Sequence, residues 1–127
     1  MRENEIATEV VDVAFRVHQR LGPGLLESVY QKIMAFELDR RGLRVEEEEP
    51  IRISYASLTF DAGFRVDLVV EDLVFVELKS VDFVHPVHAK KILTYLKLGD
   101  RRLGLLINFS ERLIREGIQR IVHRLDE

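Results

Sequence analysis

The chain has 127 residues, 46% of them hydrophobic, and a formal net charge of −3, which fits one domain (1–127) able to bury a core without covalent staples. It has no cysteine, so disulfides and thiolate metal sites are excluded, and structural zinc would need His and carboxylate ligands alone. No apolar run nears the roughly 20 residues of a membrane span, and the opening MRENEIATEV lacks the apolar segment of a signal peptide, so a cytoplasmic location without membrane contact is expected.

The segment from Glu5 to Arg20 places Ile6, Val10, Val13, Val17 and Leu21 at helical spacing. Gly22-Pro23-Gly24 breaks the chain. A second helix is predicted from about Leu25 to Arg41, with Leu26, Val29, Tyr30, Ile33 and Leu38 on its stripe and Gly42 closing it. Val45 to Tyr55 alternates as a strand, followed by a turn at Ala56-Ser57 and a short piece at Leu58–Phe60. Phe64 to Val70 and Val74 to Lys79 read as stronger strands. Pro86 suits the first turn of a helix reaching Leu98. Leu103 to Asn108, LGLLIN, is apolar enough for a strand buried on both faces. Ser110 caps a last predicted helix carrying Leu113, Ile114, Gly117, Ile118, Ile121, Val122 and Leu125. The order ααβββαβα predicts an α/β (α+β) domain, a small mixed sheet with helices on both faces.

The strands around Glu71-Asp72 carry the chemistry. Glu77 and Lys79 are two apart, so they share a face, and the register decides whether Asp67 joins them. A two-residue turn would send Asp67 and Glu77 to opposite faces. A three-residue turn, Glu71-Asp72-Leu73, pairs Val70 with Val74, Leu68 with Val76 and Val66 with Leu78 on an apolar face. It pairs Val69 with Phe75, Asp67 with Glu77 and Arg65 with Lys79 on the other. This register separates apolar from charged side chains and is the expected one. Opposed carboxylates destabilise a hairpin, and a divalent cation turns that repulsion into ligation. Magnesium is held by one or two carboxylates, with water and phosphate completing its shell. Lys79 would then position a water or stabilise charge at phosphorus. The plainer alternative is that Lys79 and Arg65 neutralise two surface carboxylates.

Further motifs extend the pattern. GLLESVY (Gly24 to Tyr30) fits G-x-x-E-x-x-Y, and it is followed in order by FRVDLVVEDLVFVELKS, LTYLKL and GLLINF. From about Ile6 to Leu125 the chain resembles the GxxExxY protein family, placed in the PD-(D/E)XK nuclease superfamily. The resemblance implies a restriction-endonuclease-like core and a metal-dependent nuclease using Mg2+, or Mn2+ in its place. It implies Asp67 and Glu77 as metal ligands, Lys79 as the catalytic lysine, and Glu27 as the helical glutamate completing the metal shell. Tyr30 would lie one turn along from Glu27, on the substrate side or as a core aromatic. Two positions depart from the pattern. Val66 stands where a literal Pro-Asp would have proline, and Lys91 stands four residues before Tyr95, where related nucleases often carry Gln. Lys91 and Tyr95 still share a helix face toward substrate, but a lysine cannot accept a hydrogen bond.

Residues 1–78 carry 9 basic and 16 acidic side chains, and residues 79–127 carry 10 basic and 6 acidic. A basic half suits phosphates and an acidic half a cation. Lys90, Lys91, Lys97, Arg101 and Arg102 form the best basic patch for a nucleic-acid backbone, or else an ordinary solvated face. His88, with His85 in HPVH, falls near the active face and is a candidate substrate contact; His18 and His123 read as surface or interface residues. The run Glu46 to Glu49 lacks the pattern of a calcium loop. The leading expectation is a magnesium-dependent phosphodiesterase acting on nucleic acid. The rival is a nuclease-fold module, weak or inactive, that binds nucleic acid or a protein. A homodimer through Ile114, Ile118, Ile121 and Leu125 of the last helix is a third expectation.

Overall fold

A computed structural model describes residues 1–126. Helices α1 (Glu3–Leu21) and α2 (Glu27–Arg40) come first. In α1 the residues Ile6, Val10, Val13 and Val17, spaced three or four apart, are all buried, as an amphipathic helix requires. In α2 the buried stripe is Tyr30, Met34, Ala35 and Leu38. Gly42 follows at φ 83, where its amide bonds to Asp39 O and that of Leu43 to Leu38 O, tying up the helix's last carbonyls.

Strands β1 (Val45–Tyr55), β2 (Leu58–Val70), β3 (Val74–Lys79), β4 (Leu103–Asn108) and β5 (Ile118–Val122) form one sheet in the order β1-β2-β3-β4-β5. Helix α3 (Val87–Gly99) is the crossover between β3 and β4, the parallel pair; the other neighbours are antiparallel. The two predicted pieces at Leu58–Phe60 and Phe64–Val70 are a single strand. With β1 it extends past β3 as an arm whose tip exposes Tyr55, Leu58 and Phe60.

The strands divide the core. Val74, Val76, Leu78, Leu103, Leu105 and Ile107 pack with α1 and α2. The alternate residues Phe75 and Leu106 pack with Ile92 and Leu96 of α3. This period of two places helices on both faces of the sheet. All six residues of β4 are buried, as its unbroken apolar run predicts. At Gly104 a Cβ would stand 2.6 Å from Ile92 Cγ2, so α3 rests on the bare β4 backbone. Gly104→Ala is therefore expected to cost about 1–3 kcal/mol by overpacking, measurable as a lower urea midpoint.

The predicted last helix is absent. Its residues form a 3-10 turn, Ile114–Gly117, and strand β5, which pairs Ile118 with Ile107 and Val122 with Leu103. The apolar residues fit a helical stripe, but the open edge of β4 offers a ladder of backbone partners that no local pattern reveals. Ile118 packs toward the first cluster and Ile121 toward the second, the alternation of a strand. The helical face expected to support a dimer therefore does not exist among the described residues.

Candidate active site

The β2–β3 turn has the expected register: Val70 pairs with Val74, Val69 with Phe75 and Leu68 with Val76. Glu71 and Asp72 take φ 54 and 55 to make the turn. The next pair in that register is Asp67 and Glu77. Here the ladder opens, because β2 stays with β1 while β3 continues along β4 to Lys79. The two carboxylates occupy the fork. Glu77 Oε1 accepts from the Asp67 amide at 3.1 Å, and Asp67 Oδ2 accepts from the Leu78 amide at 2.8 Å. They replace the carbonyl acceptors that the diverging strands withdraw, so the fork leaves these donors satisfied.

The fork also corrects one expectation. Val66 does not share a face with Leu78; it packs with Val69, Phe75 and α3, whereas Leu68 packs with α1 and α2. Asp67 thus sits where β2 slips out of simple alternation. Opposite it on β1, Glu48 lies between the pairs Glu47–Leu68 and Glu49–Val66 with φ 51. The expected Arg65–Lys79 pairing is likewise replaced: Arg65 pairs with Pro50 and donates to Glu48 O.

Burial, and then the charge of Asp67, push the Glu77 carboxyl up to about 7; the Asp67 amide, Lys79 and Lys91 oppose the rise. Burial also raises Asp67, assisted by the charges of Glu48 and Glu27 and opposed by the Leu78 amide and Lys79. Two half-buried carboxylates that both resist ionisation are a site in which added positive charge is favourable.

Glu77, Lys79, His88, Lys91, Ile92, Tyr95 and Leu106 line a cavity of about 30 Å³, room for one or two waters. Five of the residues singled out from sequence, Glu77 and Lys79 on β3 and His88, Lys91 and Tyr95 on α3, thus meet at one small polar hollow. Tyr95 stacks on Phe64 with ring centroids 4.1 Å apart, Lys91 is exposed, and burial lowers the proton affinity of His88, with the charges of Lys79 and Lys91 adding to the effect. His85 does not line the hollow; its Nδ1 accepts from the Val87 amide at the start of α3. A larger groove, about 680 Å³, lies between α1 and α2, but it holds no carboxylate pair in a strand fork.

Glu27 is the first residue of α2, and its Oε2 accepts from the Ser80 amide at 3.2 Å. Its charge bears on both Asp67 and His88. Among the described residues no group of three or more His, Cys, Asp or Glu side chains could hold a metal ion as they lie. Asp67 and Glu77 each face a strand amide and Glu27 faces Ser80. The donors themselves are hard carboxylate oxygens, each using one oxygen in these bonds, which suits Mg2+ or Mn2+ and not a soft metal.

Tyr30 is corrected. It is fully buried, stacked on Phe109 at 4.2 Å, with its hydroxyl donating to Gly22 O at 2.6 Å and accepting from the Leu25 amide at 3.3 Å. It has no access to substrate. His18 is also buried, its Nε2 2.7 Å from Glu111 O. Two members of the basic patch serve the fold: Arg101 bonds Asp72 and Gly99 O and lies over the Phe75 ring, and Arg102 donates to Arg124 O. Lys90, Lys91 and Lys97 remain exposed.

Asn108 escaped the sequence reading, although a terminal amide on an otherwise apolar strand was a signal. Only 1% exposed, it stands beside Lys79. Its Oδ1 accepts from the Val81 and Ser110 amides and its Nδ2 donates to Val81 O. Asn108→Ala strands three backbone groups and is expected to cost about 2–3 kcal/mol, read as a lower denaturant midpoint at unchanged slope.

A five-stranded mixed sheet between helices, with Asp, Glu and Lys at a strand fork, defines a restriction-endonuclease-like α/β nuclease fold. Residues 4–121 match the sequence profile of the PD-(D/E)XK nuclease superfamily, and the chain belongs to that superfamily. No curated protein and no solved structure matches it. No described helix is long and apolar enough to cross a membrane.

Proposed function

We propose that this protein, a GxxExxY-type member of its superfamily, hydrolyses phosphodiester bonds of DNA or RNA with Mg2+, or Mn2+ in its place. The observation that carries the reading is the strand fork: two half-buried carboxylates, both raised first by burial, Glu77 raised further by the charge of Asp67, with Lys79 lining the same hollow as Glu77. Asp67 and Glu77 would hold the cation, and Glu27 would complete the set from the start of α2. When bound, the cation supplies Lewis acidity toward a phosphoryl oxygen and acidifies a nearby water. The protein's own groups do the rest. Lys79, on the strand that carries Glu77, orients the attacking water and meets charge developing at phosphorus. His88, Lys91 and Tyr95 border the hollow from α3 and receive the substrate backbone, with Lys90 and Lys97 adding screened attraction.

The test is direct. Purified protein should cut DNA or RNA when Mg2+ or Mn2+ is added and lose this on chelation, and Asp67→Ala should not cut. Equal cleavage by wild type and Asp67→Ala would overturn the assignment of the site.

One observation favours a second reading, a nuclease-fold module that binds without turnover. Lys91 borders the hollow and its charge favours ionised Glu77, so an ammonium stands where a cation would act. Calorimetry separates the two: a protein that takes up no divalent ion at pH 8 is the module.

A further inference from the structure

We infer that Tyr30 and Ser80 are positioning residues, forming a latch that holds the Glu27 carboxylate against the Asp67–Glu77 fork. The inference rests on the reading of Glu27 as the third metal carboxylate.

Residues 22–26 link α1 to α2 as a short irregular loop, with Gly22 at φ 72 and Gly24 at φ 111. A Cβ at either glycine would meet nothing within 4 Å, so glycine is required there for backbone angle and not for space. Such a loop leaves the start of α2 loosely determined unless something ties it down. The Tyr30 hydroxyl does so from inside, bonding Gly22 O and the Leu25 amide at once. Ser80 does so from the site. Its Oγ donates to Leu25 O at 2.7 Å and its amide to Glu27 Oε2 at 3.2 Å.

These bonds close a circuit. Ser80 follows Lys79, whose carbonyl accepts from the Phe109 amide at 2.8 Å. The Phe109 ring stacks on Tyr30, and Tyr30 lies one helical turn beyond Glu27 on α2. The carboxylate of α2 and the lysine of β3 are thereby held in one frame. The spacing G-x-x-E-x-x-Y acquires a physical meaning: Gly24 makes the turn, Glu27 carries the carboxylate at the first helical position, and Tyr30, three residues on, reaches back into the loop to fix it. Phenylalanine keeps the stacking but can neither donate nor accept.

Tyr30→Phe and Ser80→Ala are compared with wild type, the second at a half-buried position where folding is retained. Two readouts are taken: Mn2+ affinity by calorimetry, and exchange of the Ser80 amide proton by NMR. The latch requires Ser80 exchange to quicken at least severalfold in both variants while amides of β4 stay protected. It also requires Mn2+ affinity to fall about tenfold in Tyr30→Phe, as for the loss of a group that orients a ligand. In a Glu27→Gln background, neither change should lower Mn2+ affinity further, because the latch acts through Glu27. Unchanged Ser80 exchange, or an equal loss of affinity in the Glu27→Gln background, overturns the inference. Faster Ser80 exchange in a protein whose wild type takes up no Mn2+ upholds the latch and overturns the metal reading instead.

Discussion

Asp67→Ala and Lys79→Ala should each lower cleavage by about 10²- to 10³-fold or more, and for different reasons that calorimetry will separate. Asp67 bonds the Leu78 amide through Oδ2 and shares the fork with Glu77. Its removal takes away half of the carboxylate pair, so Mn2+ affinity should fall together with turnover. Lys79 ends β3, the strand that carries Glu77, borders the hollow with Glu77, and among the described residues makes no ion pair within 4 Å. Its loss removes a positive charge beside the cation, so Lys79→Ala should bind Mn2+ at least as tightly as wild type while turning over far more slowly. A Lys79→Ala variant that cuts at the wild-type rate would remove the lysine from the chemistry and leave only the pairing of charges.

Glu77→Gln should stabilise the metal-free protein at alkaline pH. The folded protein holds the Glu77 proton up to about 7, against 4.5 for an ordinary glutamate carboxyl. Between those two values the folded state binds more protons than the unfolded state, so stability declines as pH rises. The contribution is fully present below the unfolded value and is lost by the time pH passes the folded one. The shift corresponds to an upper figure of roughly 3 kcal/mol, and a half-buried group should deliver about 2 kcal/mol of it. Glutamine keeps a carbonyl oxygen for the Asp67 amide and carries no charge. Wild type and Glu77→Gln should therefore have similar stability near pH 4.5, and the variant should lead by about 2 kcal/mol at pH 8. Adding Mn2+ at pH 8 should reverse the order, since only wild type gains binding free energy from the ion. Urea melts at the two pH values, with and without Mn2+, read out every part of this. Parallel pH profiles for the two proteins would mean that Glu77 is not held protonated by the fold.

The fork is thus a place where the fold gives up stability as pH rises, and it is also where the sequence was most informative. The register Val70–Val74 follows from Val, Leu and Phe alternating with Asp, Glu and Lys, because a one-residue slip would exchange the buried and polar faces. Glu77 and Lys79 share a face by strand geometry alone. Strand β4 declares itself by being apolar throughout, since only a strand covered on both sides can be. Other features were hidden for a definite reason. The Val66 face depends on where β2 leaves β3, and that depends on β1 and β4 pulling the two strands apart. Tyr30 shares a helix turn with Glu27, but whether it meets substrate or Phe109 depends on where the chain nearly eighty positions later, just past β4, is placed. Ser80 and Asn108 gave weak local signals because their partners are distant backbone groups.

Local pattern, then, was enough for the first two helices, the β2–β3 turn and the buried strand, since each follows from periodicity or spacing within a few residues. The final segment was not settled that way. Leu113 to Leu125 carries an apolar stripe of helical period, yet Ile118–Val122 completes the sheet as β5, because β4 presents unpaired backbone groups along its edge and a strand satisfies them. The same holds for the third carboxylate. Gly24, Glu27 and Tyr30 can be read as a motif in the chain, but that Glu27 meets Ser80 beside the fork depends on α2 packing against the sheet, a contact between segments that no local pattern encodes.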